Sequence, residues 1–153
     1  MHVGSAISLT RRAAKARPVK YQVKKNKASS LSSRTMRWGG LTILLFLIWH
    51  LLQFTIVKVD ISTGDKGVDD PYALLVNAFS DSEWWMTVIY LLAMLALGFH
   101  LHHGTFSACQ TLGLTNTAAS RARARSFGWI VAIVIAGGFS LVPLFTLFGV
   151  ISN

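Results

Sequence analysis

Three long apolar runs separated by polar gaps organise the chain. Residues 38–57 read WGGLTILLFLIWHLLQFTIV and carry no formal charge. Twenty helical residues rise about 30 Å, the depth of a bilayer's hydrocarbon core, so the pattern predicts a membrane-crossing helix over 37–58. Residues 84–120 are again uncharged, most apolar from Trp84 to Leu101, with a small, semi-polar tail, HHGTFSACQTLGL. This predicts a helix over 84–114 whose end lies among other helices and not against lipid. A third uncharged run, Ser126 to Asn153, predicts a crossing helix over 128–150, kinked at Pro143, which removes one helix hydrogen bond. The opening HVGSAISL is too short to cross. It is no signal peptide, because its charges follow the apolar stretch and no cleavage pattern appears. It reads as the last turns of a helix or as a short interfacial one. The expected fold is all-α: an integral membrane bundle of three full transmembrane helices plus a short N-terminal helix remnant.

Charge gives the spans a direction. All six acidic residues lie between Asp60 and Glu83, ten of the fifteen basic residues lie between Arg11 and Arg37, and Arg121, Arg123 and Arg125 mark another gap. Lys and Arg collect on the cytoplasmic side. The arm 1–36 and the loop 115–127 are therefore expected inside, and the acidic loop 59–83 outside, an assignment that three crossings satisfy. Trp38, Trp84, Trp85 and Trp129 open the spans, where an aromatic belt is expected. Composition agrees: 14% of residues are charged, against roughly 25% in a soluble domain. The basic arm has no nucleic-acid reading motif, and beside a span it faces anionic lipid or a soluble partner.

Candidate chemistry concentrates on histidine. His50, His100, His102 and His103 lie in apolar surroundings, and His2 begins the short apolar remnant. Ionisable groups inside a membrane usually face an interior, a cavity or a cofactor. No carboxylate lies within a span, which disfavours a proton relay or transporter, whereas neutral imidazole is a natural axial ligand for haem iron. Measured by helical rise, His50 lies about 20 Å in from Arg37, and His2 about 13 Å from Arg11. His100 lies about 20 Å from Leu114, or about 10 Å in from a helix end at Ser107. His2 and His100 can share a level, with His50 deeper. Ala93, Ala96, Gly104, Ser107 and Thr111 form a stripe of small residues on the His100 face, which suits a flat macrocycle or close helix packing. His103 lies beside that face, within reach of a propionate or a quinone, and His102 points elsewhere, as a structural or interfacial residue. His50 has Gln53, Phe46 and Phe54 on its face, suiting a macrocycle edge or ordinary core. Cys109 is the only cysteine, so no disulfide and no Cys2His2 iron–sulfur site can form within the chain, and it reads as an inert apolar residue. The glycine pairs 39–40 and 137–138 read as helix packing.

The stretches ARPVKY (16–21), RTMRWGGLTILLFLIWHLLQFT (34–55) and GFHLHHGTFSACQTLGL (98–114) resemble the cytochrome b membrane-anchor subunit of succinate dehydrogenase (respiratory complex II), in its five-helix Gram-positive form. The resemblance reaches from the start to about Val150. It implies a multi-pass protein of the bacterial cell membrane that anchors a flavoprotein and an iron–sulfur subunit at the cytoplasmic face. Electrons from succinate pass through it to menaquinone or a related quinone. It also implies haem b held by histidines on different helices: His2 with His100 near the iron–sulfur subunit, and His50 at a farther haem with a partner on the family's first helix. That helix is missing here, so either a companion membrane subunit supplies it or the sequence begins at an internal methionine. Succinate chemistry belongs to another subunit, since nothing here holds flavin or a dicarboxylate. A quinone needs an apolar slot with a few donors, for which Ser32, Trp38, His103 and Ser107 are candidates. The rival expectation is a structural anchor of the same complex with no haem of its own, or with a different metal centre.

Overall fold

A computed structural model describes residues 1–17, 19 and 29–152. Lys20, Lys24, Lys25 and Lys27 of the basic arm, and half of the 16–21 stretch, lie outside the described residues. Helix α1 spans His2–Lys15, with Arg12 and Lys15 in its last turn, where cations complement the helix dipole.

Helix α2 spans Leu31–Leu51 and continues into a wider, π-helical turn at Leu52–Ile56. It starts six residues before the expected span because Ser30 caps it, its hydroxyl accepting from the Ser33 amide at 3.2 Å. A serine there satisfies one of the free amides of the first turn.

The acidic segment 59–83 is more than a loop. Asp60, 5% exposed, accepts from the amide and hydroxyl of Ser62, the Thr63 amide and the Asn77 side chain. Burial pushes its carboxyl up, but the donors from Asn77, Ser62 and Thr63 outweigh it and hold the pKa below the usual value. Asp70 then caps a short helix α3, Pro71–Ala78, with proline at its first position, the residue whose missing amide costs nothing there. Leu74, Ala78 and Phe79 are buried. Ala78 and Phe79 pack with Met86, Tyr90, Phe46 and Phe54 over one end of the bundle.

Helix α4, Trp84–Thr111, is the central element. It packs against α2 on one side and, on the other, against α5 (Ala118–Ala132) and α6 (Gly138–Leu147), which a second π-helical turn at Ile133–Gly137 joins. α5 begins ten residues before the expected span because Thr117 and Ser120 form a reciprocal capping box. Arg121, Arg123 and Arg125 are consequently helical, and the Arg125 guanidinium lies 5.5 Å from the centre of the Phe106 ring. α6 runs through Pro143; the departure from regular geometry comes upstream, at the π-helical turn.

Three helical stretches, Leu31–Ile56, Asp81–Thr111 and Ala118–Leu147, are long and apolar enough to cross a membrane. The described residues contain no strand. The all-α membrane bundle is as expected. Only 6% of the most apolar window of the first stretch is covered within the chain, against 28% for the second, so α2 presents most of its surface to lipid or to other helices. The glycine pairs differ. Gly39 and Gly40 lie against Ala96 and His100 of α4, while Gly137 and Gly138 face open space; of the glycines, Gly128 is the most tightly packed, against His102.

Candidate functional site

Two sites follow one another along α4, at His100 and at Tyr90. Ten residues separate them, about 15 Å of helical rise.

At the first, a cavity of ≈ 280 Å³ lies between α2 and α4, bordered by Thr35, Trp38, Gly39, Thr42, Phe99 and His100. Ala96 of the small-residue stripe opens it, whereas Ala93 is packed with Met94 and Ala136. The stripe therefore serves both space and packing. The Nδ1 atom of His100 is buried and has no hydrogen-bond partner among the described residues. The ring of His2, arriving on α1, stands 6.1 Å from that of His100, centre to centre, with the planes at 84°. Two imidazoles bound on opposite sides of one metal ion, at about 2 Å per bond, have ring centres about 6 Å apart. The spacing fits a shared metal, and an unpaired buried nitrogen is the kind of group that usually needs an explanation.

The second site is a larger cavity of ≈ 460 Å³ with an almost wholly apolar lining, including His50, Phe46, Phe54, Phe79, Tyr90 and Met94. Phe46 stacks with His50 at 5.9 Å, and Phe54 lies 5.4 Å from it. Nδ1 of His50 is 3.3 Å from the Tyr90 hydroxyl, which donates to Oε1 of Gln53 at 2.9 Å. No second histidine of the described residues stands opposite His50.

The residues expected at a quinone slot are not gathered together. Trp38, 75% exposed, borders the His100 cavity. Ser32 is 3% exposed and its hydroxyl is 3.0 Å from Nδ1 of His102. His103 and Ser107 border neither cavity. His102 is buried, bonded through Nδ1 to Ser32 and stacked on Trp129 at 4.3 Å, and its Nε2 has no partner among the described residues. Tyr90 was not singled out by the sequence; a lone phenol inside an apolar span is the signal that marks it. Gln53 was noticed only as a neighbour of His50.

Residues 11–148 match the succinate dehydrogenase/fumarate reductase transmembrane subunit family. No curated protein and no solved structure matches the chain.

Proposed function

Since the chain belongs to the succinate dehydrogenase/fumarate reductase transmembrane subunit family, we propose that it anchors the flavoprotein and iron–sulfur subunits and carries electrons between the iron–sulfur subunit and a membrane quinone through haem b. The observation that carries the haem is the facing pair His2 and His100, at 6.1 Å. His50, in the aromatic-lined cavity, is the ligand to a second haem, completed from a companion membrane subunit or from helices outside this sequence. The metal ligands are thus His100, His50 and His2, each supplying a neutral imidazole nitrogen. Haem b, when bound, takes up and releases one electron at a time.

The remaining groups hold, exclude and orient. Phe46 and Phe54 flank the ring of His50 and shield it from water. Trp38, beside the His100 cavity, is the first candidate contact for a quinone such as menaquinone, with Ser107 and His103 farther along α4. Ser32 serves this slot only through His102, whose ring its hydroxyl holds. The ends of α2 and α5 that carry Arg34, Arg37, Arg121, Arg123 and Arg125 face the cytoplasm and the soluble subunits, following the distribution of positive charge.

The test is the reduced-minus-oxidised spectrum and haem content of the purified complex with His100→Ala. Loss of one b-type haem from an assembled complex is the expected result. Unchanged haem content removes His100 from the ligand set. A wild-type complex with no b-type spectrum replaces the electron conduit with a purely structural anchor.

A further inference from the structure

The second cavity contains a polar chain that haem ligation by itself does not require. It crosses from α2 to α4 as His50 Nδ1, Tyr90 hydroxyl and Gln53 Oε1, at 3.3 and 2.9 Å. A phenol has a single hydrogen to donate. That hydrogen goes to Gln53, so toward His50 the Tyr90 oxygen can only accept. Nδ1 of His50 must therefore carry the ring proton. The other nitrogen, Nε2, keeps its lone pair and makes no hydrogen bond among the described residues. A neutral imidazole in this tautomer is ready to bind a metal.

Local backbone geometry explains why Gln53 is in place. The π-helical turn Leu52–Ile56 follows directly on α2, with the Val57 amide reaching back to the Leu52 carbonyl at 3.0 Å. Wide turns of this kind recur at functional sites. Gln53 is left 2% exposed in the middle of an apolar bundle, where a polar amide is costly unless it is hydrogen-bonded; its Oε1 accepts from Tyr90, while its Nε2 has no partner among the described residues. Tyr90 is itself buried and gripped edge-on by Phe46 and Phe79, each 4.8 Å away. Its hydroxyl has little freedom.

We infer that Tyr90 and Gln53 are positioning residues that fix His50 in its Nδ1–H tautomer and so present Nε2 to a metal centre in the aromatic cavity. The inference rests on the reading of His50 as a haem ligand. A ligating histidine usually donates its other N–H to an acceptor that orients it and raises its basicity, and losing that acceptor weakens the site about 10- to 100-fold. Hydrogen bonding around the ligand is also one of the protein's controls on haem potential. A ligand made less electron-rich stabilises the oxidised iron less, so the midpoint potential rises.

The experiment is a redox titration and low-temperature EPR of the purified complex carrying Tyr90→Phe, Gln53→Leu or His50→Ala, with Thr87→Val as control. Thr87 is a neighbouring buried residue of α4 whose hydroxyl takes no part in the chain. Tyr90→Phe keeps the ring and its packing. The expected result is an upward shift in the midpoint potential of the haem that His50→Ala removes, with an altered low-spin signal. Gln53→Leu shifts the potential the same way and Thr87→Val leaves it unchanged. Loss of that haem alone from an assembled Tyr90→Phe complex supports the inference equally. An unchanged potential and signal in Tyr90→Phe, while His50→Ala removes a haem, overturns the inference and leaves the haem reading intact. Full haem content in His50→Ala overturns the reading of His50 beneath it.

Discussion

The hydroxyl of Ser32 lies 3.0 Å from Nδ1 of His102, a residue seventy positions further along the chain. This bond ties the first turn of α2 to α4, and it is buried. Among the described residues, Nε2 of the same imidazole is buried without a partner, and Ser32 supplies the one side-chain bond to His102. Ser32→Ala is expected to cost about 1 kcal/mol, the scale of a lost buried hydrogen bond in either a soluble or a membrane setting. The fraction of detergent-solubilised complex that survives a heat step should fall, while haem content before heating is unchanged. Equal survival of variant and wild type contradicts a structural role for the bond.

α5 packs tightly on α4 where Gly128 meets His102. A Cβ on Gly128 would lie 2.8 Å from the His102 carbonyl oxygen and 3.3 Å from its ring. The first of these neighbours is backbone and cannot swing aside. Gly128→Ala is therefore expected to push the helices apart and destabilise the bundle by about 1–3 kcal/mol, the usual cost of overpacking. Gly104→Ala, where a Cβ meets open space within the chain, is the matched comparison. It should hold stability or raise it by up to about 1 kcal/mol, because alanine is the better helix former. The two variants are distinguished by thermal dissociation of the complex.

The acidic segment 59–83 is predicted to be acid-sensitive through Asp60. Its folded pKa is held below the ordinary value of 3.8 because the bonds from Asn77, Ser62 and Thr63 outweigh the opposing effect of burial. A group whose pKa is depressed by folding adds stability above its unfolded pKa and loses it as pH falls through the folded one. Wild type should therefore exceed Asp60→Ala in thermal stability by a constant margin from pH 7 down to about pH 5, with the margin shrinking below pH 4. Hydrogen bonds to a charged acceptor are worth about 1.5–3 kcal/mol, which sets the size of the plateau. A margin that does not change with acidity removes the carboxylate from the account. Asp69, paired with Lys58 at 2.9 Å on the surface, is common to both proteins and cancels from the comparison.

Much of this protein was legible in its residues, because a bilayer imposes simple demands. Uncharged runs of about twenty residues have to become helices, since only internal hydrogen bonding satisfies a backbone in lipid. The three spans, their number and the all-α class followed from that alone. Their ends were less legible. Ser30 and the Thr117–Ser120 box start α2 and α5 earlier than charge does, because a cap is a local side-chain event that hydropathy does not register. Segment 59–83 reads as an acidic loop, yet Asp60 and Asp70 organise it into a turn and a helix that close one end of the bundle.

Sequence alone determined which residues are exceptional: His50, His100, His102 and His103, set in apolar runs without a carboxylate, and His2 on the short apolar segment before them. Spacing along a helix gave their depths, since rise per residue is constant. It did not decide which of them meet. That His2 faces His100, that Ser32 belongs to His102, and that Tyr90 and Gln53 stand behind His50 depend on how the helices are rotated and how closely they approach. Rotation is set by packing between helices distant in the chain, with small residues such as Gly128 and Ala93 deciding where backbones come close. A linear order carries no record of that until the tertiary structure forms.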